Sequence, residues 1–131
     1  MMRTLSLCII ATCFILAGAN HFMNPQTYLS MMPSYLPYPE ALNLISGAAE
    51  IAGGIGVLIK PLRSAAGWGL IALLIAIFPA NLQMALHGLQ GVNIAPWILW
   101  LRLPFQFVLI AWVYFTCLAV RPGTAKTQTQ R

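Results

Sequence analysis

Long apolar runs alternate with short polar ones along this chain. Four runs stand out, at roughly residues 5–22, 41–59, 65–86 and 94–120. Each is long enough to cross a hydrocarbon core ~30 Å thick at a helical rise of ~1.5 Å per residue. The pattern predicts an all-α membrane protein, a four-transmembrane-helix bundle over residues 1–120 with a polar cytoplasmic tail at 121–131. Nothing outside the four segments could form a second core.

The connection over residues 23–40 contains Pro25, Pro33, Pro37, Pro39 and three tyrosines, with no charge before Glu40. Prolines oppose a regular helix, and tyrosine favours the headgroup level of a bilayer. This segment is expected to be irregular, and to lie on the outer interface or fold back over the bundle. Pro79 and Pro104 fall inside the third and fourth segments and free the carbonyls of Ile75 and Trp100. Ala48, Ala52 and Gly56 in the second segment, and Ala72, Ala76 and Ala80 in the third, are spaced for close helix packing. Trp97 and Trp100 mark the outer interface and Trp68 the inner one.

Composition agrees with this picture. Apolar residues make up 60% of the chain and charged residues 7%. A net charge of +5 in a soluble protein would suggest nucleic acid, but here the basic residues are topological. Arg3, Lys60, Arg63, Arg121, Lys126 and Arg131 fall at the N-terminus, the second connection and the tail, and the other two connections have none. Positive residues stay on the cytoplasmic side, so both termini are expected inside. A second reading of the first segment is a signal peptide ending at Ala17-Gly18-Ala19; cleavage there would leave three helices.

The chemistry-bearing residues gather at one end. Glu50 lies ~13 Å and Arg102 ~12 Å below the outer surface by helix rise, and Asn81 ~7 Å. Asn20 and His21 close the outer end of the first segment, and His87 that of the third. The inner half has nothing comparable. Glu50 and Arg102 are the natural ion pair, with Gln106 one turn after Arg102 and Ser46 one turn before Glu50. Three readings fit: a polar clamp fixing helix register, the floor of an outward-facing pocket, or a short proton path. His21, His87 and Glu50 match no metal-ligand spacing. Cys8, Cys13 and Cys117 form no Cys-x-x-Cys pair and read as small packing residues. No glycine-rich phosphate loop and no Ser/His/Asp set is present, which removes support for kinase and hydrolase readings.

An ordered set of motifs adds to this. Ala17-Gly18-Ala19-Asn20-His21-Phe22 comes first, then the Pro33–Pro39 stretch, then Ser46-Gly47-Ala48-Ala49-Glu50-Ile51-Ala52-Gly53-Gly54. Phe78-Pro79-Ala80-Asn81 with Met84-Ala85 follows, and then Arg102-Leu103-Pro104-Phe105-Gln106. In this order they resemble the DoxX family of small bacterial membrane proteins, over about residues 10–118. The resemblance implies a four-helix bundle in the bacterial cytoplasmic membrane, with Asn20, His21, Glu50, Asn81, Arg102 and Gln106 at matched positions. It also implies links to membrane redox systems, since one relative is a thiosulfate:quinone oxidoreductase subunit. The sequence shows no paired cysteines and no haem or flavin motif. The leading expectation is an accessory protein that binds a small amphipathic ligand, with a quinone as one candidate. A catalytic subunit of a membrane oxidoreductase complex and a small transporter or channel are the rivals. The lipid bilayer is the expected partner, a membrane oxidoreductase a further one, and oligomerisation is left open.

Overall fold

A computed structural model describes residues 1–88 and 93–119. The polar tail at 121–131 and most of the third connection lie outside the described residues. The elements are α1 (Met2–Met23), α2 (Pro25–Met31), α3 (Pro39–Gly56), α4 (Arg63–Ala76), α5 (Phe78–His87) and α6 (Pro96–Val113). A 3-10 turn at Lys60–Leu62 leads into α4, and a π-helical turn at Tyr114–Leu118 extends α6. Among the described residues there is no strand. Three helical spans are long and apolar enough to cross a membrane: Met2–Met23, Lys60–His87 and Pro96–Leu118. The second expected segment is not among them; its helix, α3, is 18 residues long. It carries both acids of the chain together with Asn43, Ser46 and four glycines, which dilute its apolar character.

The most extensive helix contact joins α1 to α3, and glycine makes it possible. A Cβ on Gly18 would lie 2.6 Å from the carbonyl oxygen of Gly47. One on Gly47 would lie 2.7 Å from the His21 Cβ, and one on Gly54 2.9 Å from the Ile15 Cγ1. Gly47 and Gly54 are two turns apart, so they fall on one face. The expected stripe of Ala48, Ala52 and Gly56 is not that face: Ala48 and Ala52 are exposed, and Gly56 meets Ala66 of α4.

One end of the bundle is tightly filled. Leu7, Ile10 and Phe14 of α1 pack with Val57, Leu70, Leu74, Val113 and Cys117. At this same end Arg3 Nε donates to the Thr116 carbonyl at 3.1 Å, and Trp112 Nε1 donates to Ser6 Oγ at 2.6 Å. Arg63 Nε donates to the Val57 carbonyl at 2.7 Å across the α3–α4 turn. The basic residues Arg3 and Arg63 therefore share one end of the bundle.

Two expectations about proline need correcting. The connection after α1 is not irregular throughout, because Pro25 opens the short helix α2. Proline is well suited to a first helical turn, where its missing N–H is no loss. The third segment is not one unbroken helix. It breaks at Ile77, with Pro79 in the first turn of α5. Pro104, in contrast, stays inside a continuous α6.

Gly18→Ala and Gly47→Ala are each expected to destabilise the bundle by ~1–3 kcal/mol, as forced overpacking does. A Cβ on Gly69 meets nothing within 4 Å, so Gly69→Ala should be neutral or stabilising by up to ~1 kcal/mol. Melting of the three variants in mild detergent checks this. Equal shifts at all three glycines would count against the close α1–α3 approach.

Candidate functional site

Beyond the filled end, the helices part around a cavity of about 410 Å³. Its walls are mostly apolar, from residues such as Phe14, Leu74, Ile77 and Leu109. Into them project His21, Glu50, Asn81, Arg102 and Gln106, five of the six residues chosen from sequence. The sixth, Asn20, stands behind the wall, where its Nδ2 donates to the Tyr28 hydroxyl at 2.7 Å.

The first polar cluster is built on the α1–α3 contact. Asn43 and Glu50 are seven residues apart on α3 and so share a face. Gly47 between them admits His21 of α1. Asn43 Nδ2 donates to the His21 carbonyl at 3.1 Å, and Asn43 Oδ1 sits 2.7 Å from His21 Nδ1. His21 Nε2 lies 3.4 Å from Glu50 Oε2. The Tyr28 ring of α2 stacks on the imidazole with centroids 3.7 Å apart. His21 is 7% exposed and Glu50 6%, so this helix-end histidine is buried. Asn43 and Tyr28 were not singled out from sequence. The seven-residue spacing of Asn43 to Glu50 was the available signal for the first. Tyr28 had none, because α2 was not expected.

The second cluster secures the break between α4 and α5. Gln106 Nε2 donates to the Leu74 carbonyl, and Asn81 Nδ2 donates to Gln106 Oε1 at 2.6 Å. Leu74 is one residue from the carbonyl expected to be freed by Pro79. A carbonyl in apolar surroundings needs a partner, and a glutamine from the neighbouring helix supplies it. Asn81 Oδ1 accepts no hydrogen bond among the described residues.

Arg102 does not pair with Glu50, contrary to expectation. Its Nη1 is 4.0 Å from Met84 Sδ, and among the described residues it forms no ion pair. The reason is geometric. α6 packs on α4 and α5 but makes no extensive contact with α3, so the two charges lie on different walls of the cavity. The nearer His21 takes the carboxylate.

Access depends on α2. Tyr28, Met31 and Met32 line the cavity because α2 crosses its end, packing on α1, α3 and α5. The lining residues left exposed are Cys13 of α1 and Arg102 and Phe105 of α6. These helices make no extensive contact with each other and are tied at the far end through Ser6 and Trp112. The cavity is therefore covered by α2 and opens sideways between α1 and α6. Cys8 and Cys117 take no part in it, and all three cysteines are unpaired. Among the described residues no group of His, Cys, Asp and Glu could hold a metal ion.

Residues 10–117 match the model of a domain of unknown function, DUF8561. The chain belongs to that family. No curated protein and no solved structure matches it. The matched span of the DUF8561 domain contains all six sequence-chosen residues, together with Asn43 and Tyr28.

Glu50 should couple energetically to His21 and not to Arg102. A double-mutant cycle on Glu50→Gln and His21→Leu is expected to give an interaction energy of ~0.5–3 kcal/mol. The cycle with Arg102→Met should be additive. Detergent melting of the five variants reads both, and a larger coupling to Arg102 would restore the pair expected from sequence.

Proposed function

We propose that this chain is a multi-pass protein of the bacterial cytoplasmic membrane that binds a small amphipathic molecule in its side-opening cavity. The observation that carries this is the convergence of polar groups with capacity to spare on an otherwise apolar cavity wall. Arg102 offers a guanidinium, Asn81 an amide oxygen, and Glu50 a carboxyl, set among Phe14, Leu74 and Leu109. Such a site suits a compact polar head on an apolar body. The gap between α1 and α6 suits a molecule that arrives from the bilayer rather than from water. The DoxX resemblance adds a quinone as a candidate ligand and a membrane oxidoreductase as a candidate partner, with an accessory role for this chain.

Four crossing helices, with both termini on the cytoplasmic side, complete the proposal. At 18 residues, α3 lies within the ~17–25 residues of membrane-crossing helices, at the short end. Gly18 is packed against Gly47, which favours an integral α1 over a cleaved leader. Arg3, Lys60 and Arg63 at one end of the bundle suit the cytoplasmic face.

Mass spectrometry of small molecules that co-purify in mild detergent is expected to find one amphipathic species. Asn81→Leu and Arg102→Met should each lose it by about tenfold, the worth of one good polar contact, while still inserting. A triple Cys→Ser variant should keep it. Retention in the first two variants and loss in the third would overturn the cavity reading. A C-terminal reporter active only outside the membrane would overturn the topology.

A further inference from the structure

The hydrogen bonds around His21 fix where its protons are. The His21 carbonyl can only accept, so Asn43 must turn its Nδ2 toward it. That places Asn43 Oδ1, which also can only accept, against His21 Nδ1. Nδ1 therefore carries a hydrogen in every state of the ring. The remaining nitrogen, Nε2, faces Glu50 Oε2 at 3.4 Å, and that oxygen is buried with no hydrogen-bond partner. With no proton between them, two lone pairs would confront each other in an apolar wall. With two protons, the pair would carry an unneutralised positive charge there. One proton satisfies both groups, either as imidazolium with carboxylate or as neutral imidazole with carboxylic acid. Tyr28 on α2 stacks on the ring; Cys13 on α1 and Arg102 on α6 face the same cavity, with the uncharged Ser46, Asn81, Gln106 and Trp112 also on its wall.

We infer that His21 and Glu50 hold one shared proton at the cavity wall, and that this pair exchanges it with a weakly acidic oxygen on the head of the bound molecule. The chemical class is a hydroxyl on a conjugated ring, a phenol or enol, carried on an apolar body. A carboxyl has two oxygens, so Glu50 can meet His21 with one and a ligand with the other. When the head arrives as an oxyanion, the proton leaves the pair and forms the ligand O–H bond. The pair then carries one negative charge, a state sustained only while the new ligand O–H donates to Glu50 and Arg102 on another wall of the cavity supplies positive charge. The reverse transfer restores it, and no electrons move. Asn43 is a positioning residue, because it selects the ring tautomer that leaves Nε2 toward Glu50. This inference rests on the cavity binding an amphipathic ligand, but its first half concerns the empty protein.

Two measurements on the full chain in lipid nanodiscs test it. The sequence has two histidines, so His87→Gln leaves His21 as the only one visible to nitrogen NMR. Nδ1 should be protonated throughout, and Asn43→Leu should let the opposite neutral tautomer appear. A bare Nδ1 in the parent protein would overturn the shared proton. The second measurement is binding of an alkylated nitrophenol and of its methyl ether, which has no proton to exchange. The ether, and the phenol with Glu50→Gln protein, should each bind about tenfold more weakly, as when one hydrogen bond to a charged group is lost. Equal binding of both compounds would overturn the exchange while leaving the cavity reading intact. Binding of neither would overturn the cavity reading and the exchange together, with the tautomer result still deciding the shared proton.

Discussion

The close approach of α1 to α3 is the constraint on which the rest of the molecule depends. Gly18 and Gly47 remove the side chains that would hold the two backbones apart. In an apolar medium no hydrophobic force drives helices together, so contact surfaces of small residues decide which helices meet and how closely. Here that closeness has a chemical result. Only with Gly47 beside it can His21 reach Asn43 on one turn of α3 and Glu50 on a later one. The glycine contact is thus also the scaffold of the first polar cluster.

A second constraint acts on α4 and α5. Backbone groups released by a helix break cannot be left unpartnered among apolar side chains. Pro79 breaks the third segment, and the amide of Gln106 on α6 takes the Leu74 carbonyl. Gln106 is then committed by both ends, since its oxygen accepts from Asn81. This leaves Asn81 with a spare acceptor on the cavity wall. The two clusters therefore differ in kind. One is a structural repair that happens to expose an amide oxygen. The other is a buried acid beside a histidine whose tautomer is set from behind.

The apolar runs made the helical character and the approximate spans legible in the sequence, because length and composition decide both. The gathering of polar residues at one end was legible for the same reason: depth follows from position along a straight helix. Pairing was not. Glu50 and Arg102 have matching depths, but depth does not say which walls they occupy, and α3 and α6 stand on different sides of the cavity. The rotation of α3 about its axis was also hidden, since Ala48, Ala52 and Gly56 look as suited to packing as Gly47 and Gly54. Choosing between those faces needs the partner's surface, here Gly18 and Ile15 on α1. α2 went unseen because its proline was read as a breaker, whereas at a first helical turn it is an opener.

The division between a filled end and a hollow one bears on what occupies the cavity. Interiors normally close to high packing density. The residual cost of an empty void is on the order of 24 cal/mol per Å³. A closed void of about 410 Å³ would cost ~10 kcal/mol on that scale, comparable to the ~5–15 kcal/mol net stability of a whole protein. This cavity is open between α1 and α6, so the surrounding medium can enter it and the question is which medium suits its walls. Water would suit the few polar groups but not the Phe14, Leu74 and Leu109 walls, which make up most of the lining. A lipid tail alone would suit the walls and leave the Asn81 amide oxygen and the Arg102 guanidinium without partners. A molecule with both an apolar body and a hydrogen-bonding head would meet both demands, and that double requirement is the physical ground of the proposed function.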